Sequence, residues 1–174
     1  MTNSTLAGLP IVGEPVFPRS SAGVEQWGEE RFSELLRPLV ESPRVEAIRW
    51  EQYTPYFNDG DVCEFDVHVP EIKVNDRAEA AADEWDDDEY HTIYSVFIEG
   101  GYPRRWVRNE GSWGGRWEKY GDEIPRHDDY DAFSELTHAM EKGHFEELLY
   151  EKFGDHAQVT VYRDRIAVET YEHE

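Results

Sequence analysis

Asn58-Asp59-Gly60-Asp61 sets three oxygen-bearing side chains around a glycine, a grouping that can hold a hard divalent cation when the spacing suits it. The EF-hand loop needs oxygen ligands at positions 1, 3 and 5 before a glycine at 6. With Gly60 at position 6 those ligands would be Pro55, Phe57 and Asp59, and the first two offer no side-chain oxygen. That loop type is excluded, and only a looser cation site on Asn58, Asp59 and Asp61 stays open beside the plain reading of a turn. Glu135 and His138 stand three residues apart, as in di-iron bundles, but such bundles need a second pair and two more inward glutamates. Only one pair is evident here, and the seven histidines otherwise stand mostly alone. Structural zinc needs tightly spaced Cys and His, which a chain with a single cysteine does not supply. Cys63 and His68 lie five residues apart on one expected strand, where the pleat sends them to opposite faces. There is no Gly-rich phosphate loop, no G-x-S-x-G and no H-E-x-x-H. The 39 acids make coincidental carboxylate pairs unavoidable, so such pairs diagnose nothing. These residues point to a chain that is not an enzyme and has no cofactor.

A second group of residues invites binding rather than catalysis. Between residues 102 and 120, Arg104, Arg105, Arg108, Arg116 and Lys119 are interleaved with Trp106, Trp113, Trp117 and Tyr120. Cations and aromatic faces together can stack single-stranded nucleic acid, or line a pocket of Trp106, Trp113 and Trp117 with Arg104 and Arg105 for an anionic or nucleotide ligand. A structural account competes with both: tryptophans filling a sheet–helix core, arginines pairing with acid blocks. The net charge favours the structural account, because 17 Lys+Arg against 39 Asp+Glu leave −22. Nucleic acid and anionic membrane are thereby disfavoured as direct partners, and the natural partner is a basic surface.

The charge is also far beyond the magnitude of about 2–8 that serves solubility in a small domain, and its self-repulsion opposes folding. Halophilic solvation would spread acid evenly, whereas here it comes in blocks. Residues 76–89 hold eight acids against the single Arg77, with no apolar periodicity, so 75–89 reads as a solvated acidic loop. Asp83, Glu84, Asp86, Asp87, Asp88 and Glu89 form its densest row, and Asp122, Glu123, Asp128, Asp129 and Asp131 a second.

The elements that must carry these residues follow from periodicity. Residues 1–20, with Pro10, Pro15 and Pro18, read as an extended N-terminal arm, and 21–174 as one domain of ordinary length. Phe32, Leu35, Leu36, Leu39 and Val40 recur at helical spacing over 24–40, with Trp27 one turn earlier. Pro38 predicts a kink or an early stop near Arg37. Strands are expected at 44–54 and 62–69, joined by a hairpin turn at Asp59-Gly60. The second strand alternates Cys63, Phe65, Val67 and Val69 against polar residues, which puts Cys63 on the buried face. A third strand is expected over His91–Ile98, and two short ones over 102–108 and 114–120. Helical spacing returns through Phe133, Leu136 and Met140, and again through Phe145, Leu148, Leu149 and Phe153. A terminal hairpin sets Val159 and Val161 against Ile166 and Val168. The order predicts an α+β fold with helices packed on one face of a mostly antiparallel sheet. The lone cysteine, the absence of a basic, apolar leader and the absence of a long apolar run predict a cytoplasmic protein.

WEQYTPYFNDGDVCEF (50–65), FGDH-x-x-VTV from Phe153 and the terminal YEHE together resemble a group of short acidic proteins of bacteriophages and prophages. The resemblance covers most of the chain from about residue 24 and brings no activity, cofactor or site with it. It implies an accessory factor acting on host or phage proteins in the host cytoplasm. Two readings result. In one, a non-enzymatic interaction factor or inhibitor engages a basic surface, such as that of a nucleic-acid-binding protein, by DNA mimicry. Its contacts are Asp83, Glu84, Asp86, Asp87, Asp88 and Glu89, with Tyr56 and Phe57 at the hairpin tip. In the other, a nucleotide-sequestering protein or metal-dependent hydrolase uses Asn58, Asp59 and Asp61, or the Trp/Arg pocket.

Overall fold

A computed structural model describes residues 5–6, 9–10, 23–57, 60–75, 89–109, 111 and 113–171. Its centre is β3 (Val45–Tyr53), a nine-residue strand with antiparallel partners on both sides. β8 (Ala157–Tyr162) lies along one edge of it, and β9 (Ile166–Thr170) pairs outside β8. The other edge is shared by β4 (Asp66–Val67) and β5 (Glu71–Val74). Two short pairs lie off this sheet: β1 (Thr5–Leu6) with β2 (Leu9–Pro10), and β6 (Arg104–Arg108) with β7 (Gly115–Lys119).

The pleat sends Ile48, Trp50 and Gln52 of β3 and Ala157, Val159 and Val161 of β8 to one face, and all six are buried. α1 (Glu29–Glu41), α3 (Tyr130–Glu141) and α4 (Glu146–Phe153) close over it, bringing Phe32, Leu39, Phe133, Leu136, Met140 and Leu149 into one apolar cluster. Trp50 lies edge-on to Phe32 and Phe153, with centroids 6.1 and 5.9 Å away. Its indole N–H donates to Gln52 Oε1 (3.1 Å), while Gln52 Nε2 donates to the carbonyls of Leu149 (3.1 Å) and Gly154 (2.6 Å). This amide thus ties Trp50 to a carbonyl of α4 and to that of Gly154, the residue that caps its end, inside a core where an unpaired polar group would cost about 1–3 kcal/mol. The fold is α+β as expected, and the terminal hairpin has the expected register, Val159 opposite Val168 and Val161 opposite Ile166.

Four local expectations are corrected. Of the kink or early stop expected near Arg37, the stop does not occur: α1 runs through Pro38 to Glu41. A proline inside a helix costs about 3 kcal/mol; the continued turn buries Leu39 completely and packs Val40 on the cluster, which offsets it. The partner of β3 is not a continuous strand over 62–69. Only Asp66 and Val67 pair there, Pro70 interrupts, and pairing resumes at Glu71, because proline has no N–H for the ladder. Residues 54–57 and 60–64 therefore lie outside any strand, and Cys63 is half-buried there. Finally, His91 makes one bridge to Ile72 and the chain then turns into the short α2 (Val96–Glu99). Ser95 Oγ accepts the Phe97 N–H at 3.3 Å and so caps a helical turn, burying Ile93 and Ile98 in place of the alternating set. Among the described residues no helix is long and apolar enough to cross a membrane.

Candidate interaction surfaces

On the face of the sheet opposite the helices, side chains are polar and paired. Arg49 bonds Glu71 at 2.6 Å, with its guanidinium 4.0 Å over the Tyr90 ring. Lys73 reaches Glu46 at 3.0 Å and Glu89 at 2.5 Å. These two carboxylates accept hydrogen bonds from its ammonium and hold its pKa well above the ordinary lysine value. Glu89, a member of the dense acid row, is therefore engaged by Lys73. Asp83, Glu84, Asp86, Asp87 and Asp88 lie outside the described residues. The second acid row is not a free row either. Asp128 and Asp129 hold Arg44 at 3.2 and 3.4 Å, and Asp129 also accepts the Ser42 hydroxyl at 2.8 Å. Those two carboxylates tie the start of α3 to the α1–β3 junction.

At the far end of β3 the open face turns aromatic. Tyr53 is buried, with His68 stacked on it at 4.5 Å and Tyr171 at 5.1 Å. Burial raises the pKa of both phenols, and the Glu51 carboxylate raises them further. The loop segment 54–57 begins here. Asp155 Oδ1 accepts the Thr54 N–H and the His156 N–H, each at 2.8 Å, and the Tyr56 ring stacks on His156 at 4.6 Å. His156 itself sits at φ 55°, left-handed backbone that a residue other than glycine adopts only where its surroundings hold it. The loop is thus pinned at its base, while Tyr56 and Phe57 stand 75 % and 79 % exposed. Of the looser cation site, Asn58 and Asp59 lie outside the described residues and Asp61 is exposed. Among the described residues no three His, Cys, Asp or Glu side chains are grouped to hold a metal. His138 instead turns its Nδ1 to the Ser134 carbonyl within its own helix, at 2.7 Å.

The basic and aromatic run contradicts its structural account. β6 and β7 form the two strands expected, but as a ribbon paired only with itself. Trp106, Trp113 and Trp117 are 51 %, 100 % and 62 % exposed, so they do not fill a core. Among the described residues these arginines meet no acid block, and the ion pair on the ribbon is local, Arg116 to Glu118 at 2.5 Å. The physical reason lies in the pairing partner. A strand within the central sheet has helices above it, whereas among the described residues no further strand pairs with this ribbon and its tryptophans stay exposed.

The sequence alone did not single out Trp27. Its indole stacks on His144 at 3.9 Å and 3°, and His144 Nδ1 bonds the Glu25 carbonyl at 2.8 Å. The pair walls a groove of about 430 Å³ between α1 and α3 that Arg31 and Lys142 also line. Isolation of Trp27 one turn before the helical pattern was the available signal. Compared with protein-family models, with curated proteins and with solved structures, the chain has no match.

Proposed function

We propose that this protein is a non-enzymatic interaction factor whose acidic body engages a basic surface on a partner protein. The observation that supports this best is the pair Tyr56 and Phe57, 75 % and 79 % exposed on a loop pinned at its base, in a chain of net charge −22. Exposed aromatics held in place are what interfaces use as anchors, and a field of that sign steers a basic partner toward them. Duplex DNA carries about one charge per 1.7 Å of axis, so acids in rows can stand in for it, and a nucleic-acid-binding protein is the partner this reading favours. The resemblance to short acidic phage proteins adds a setting, the host cytoplasm, and a role, accessory factor or inhibitor.

The test is a partner isolated on the immobilised chain and then measured in purified form. Affinity should fall steeply between roughly 50 and 200 mM salt, as the Debye length shortens to about 8 Å near physiological strength, and duplex DNA should compete. Changing Asp86, Asp87 and Asp88 together to Asn should slow association more than it speeds dissociation. Tyr56→Ala with Phe57→Ala should act on dissociation instead. A partner indifferent to salt and to both sets of substitutions defeats the proposal.

A further inference from the structure

The ribbon of β6 and β7 carries an unused surface. Over residues 102–120 five cations stand against two carboxylates. The pleat places Arg104, Trp106 and Arg108 on one face, and the ladder sets them opposite Lys119, Trp117 and Gly115. Trp106 lies over Gly115, where a Cβ would come within 2.6 Å of the indole; only glycine admits the ring in that position. Trp117 meets it edge to face, centroids 5.5 Å apart at 66°. Both indoles are more than half exposed. Among the described residues no carboxylate pairs with Arg104, Arg108 or Lys119, and Lys119 stands 4.5 Å over the Tyr102 ring. Arg116 and Glu118, which do pair, are on the other face.

We propose that this face binds single-stranded nucleic acid, with bases stacked on Trp106 and Trp117 and phosphates taken by Arg104 and Lys119 at one end and Arg108 at the other. Four residues of strand set Arg104 and Arg108 about 13 Å apart, so the cations bracket the aromatic pair along the strand direction. Unpaired bases supply the π faces that a duplex keeps stacked, and phosphates supply the charge. An acidic peptide matches the cations but leaves the indoles bare. A neutral lipid surface matches the indoles but must desolvate Arg104, Arg108 and Lys119 on the same face, and an anionic one is repelled by the net charge of −22. The body's negative field is long-ranged, and at physiological salt it is screened over about 8 Å, whereas stacking and phosphate contacts act at touching distance.

The test uses the full chain and a fluorescein-labelled oligothymidylate of about twenty nucleotides, a length exceeding the site of a single stacking module, followed by anisotropy. Binding should saturate, and be at least tenfold tighter than to duplex of the same length. Trp106→Ala and Trp117→Ala should each weaken it by about tenfold, the usual worth of one stacked base. Three phosphate contacts on a single strand give a log–log salt slope of about −2. Arg105→Gln on the opposite face should change affinity less than twofold. The Asp86, Asp87 and Asp88 variant should still bind, so loss of partner binding there and loss of strand binding here are separate failures. Absence of saturable binding by the unaltered chain overturns the proposal, as does equal affinity for duplex, or Trp→Ala variants that bind like the parent. Competition by polyglutamate as strong as by unlabelled oligonucleotide would reassign the face to an acidic protein. Sedimentation with phosphatidylglycerol vesicles that the Trp→Ala changes abolish, without oligonucleotide binding, would reassign it to a membrane.

Discussion

Trp50 and Trp117 are the same residue in the same kind of secondary structure, a central position of an antiparallel strand, yet one is 1 % exposed and the other 62 %. Trp50 stands on β3, flanked by β8 on one side and β4 and β5 on the other, with Phe32 and Phe153 lying across its ring. Trp117 has a single partner strand and, among the described residues, no ring packed on it but that of Trp106. The difference shows that burial belongs to the arrangement of layers, not to the residue: an aromatic on a strand is core only where a second element covers that face. It also separates two uses of tryptophan in this chain. On the covered face it supplies cohesion; on the bare ribbon its surface remains available to something outside the molecule.

The contrast can be broken most directly with Trp50→Ala, which should cost about 3–5 kcal/mol, as large-to-small changes at a packed aromatic do. Against a total of about 5–15 kcal/mol for a domain, chemical denaturation should show a large fall in midpoint; a fall of under about 1 kcal/mol would mean that Trp50 is not a core residue. Next in size is Gln52→Leu. It removes the acceptor of the Trp50 indole and the donor to Leu149 and Gly154 while keeping an apolar side chain of similar volume, so about 1–3 kcal/mol of loss follows, chiefly from the indole N–H left unpaired in the core. Equal stability of the variant would show that water replaces the amide.

A smaller effect concerns the polar face. The Tyr53 pKa is raised from 10.0 by burial first and by Glu51 and Asp66 after it, so the unfolded phenol ionises at lower pH than the folded one. Stability contributed by the neutral ring is complete below pH 10.0 and is lost as pH climbs from there through the folded pKa. Unfolding midpoints measured over that range should decline, and Tyr53→Phe should make the decline shallower; an unchanged slope would refute the assignment. Smallest of all, Trp117→Ala should lower stability by less than about 1 kcal/mol, the worth of one exposed aromatic pair. Gly115→Ala should likewise leave the body intact. Because its Cβ would meet both the Trp106 ring and the Val107 carbonyl of β6, it should displace that indole and loosen the ribbon, altering near-ultraviolet circular dichroism while the unfolding midpoint of the body stays unmoved.

Much of the element order was legible without coordinates. The terminal hairpin came out in register because its apolar residues alternate without interruption and its turn is two residues long, which leaves little choice of pairing. α3 and α4 were legible from their spacing and from Gly143 and Gly154, both at positive φ in the structure. The expected strand at 91–98 failed where Ser95 could cap a helical turn, a local competitor that alternation does not weigh. Tyr56 and Phe57 were legible as residues at the tip between two expected strands. The pinning of their loop by Asp155 and His156, about a hundred residues further along, was not.

By itself the sequence determined the quantities that periodicity and composition carry: the α+β order, the apolar sets of α1, α3, α4 and the terminal hairpin, the two strands of the ribbon and the net charge of −22. The tertiary structure decided which faces are covered. It carried α1 through Pro38 because Leu39 has a core to enter, split the partner of β3 at Pro70, tied Asp128 and Asp129 to Arg44, and left three tryptophans in solvent. The physical reason is range. Periodicity is set by the backbone over a few residues, whereas coverage of a face depends on elements brought together across the whole chain.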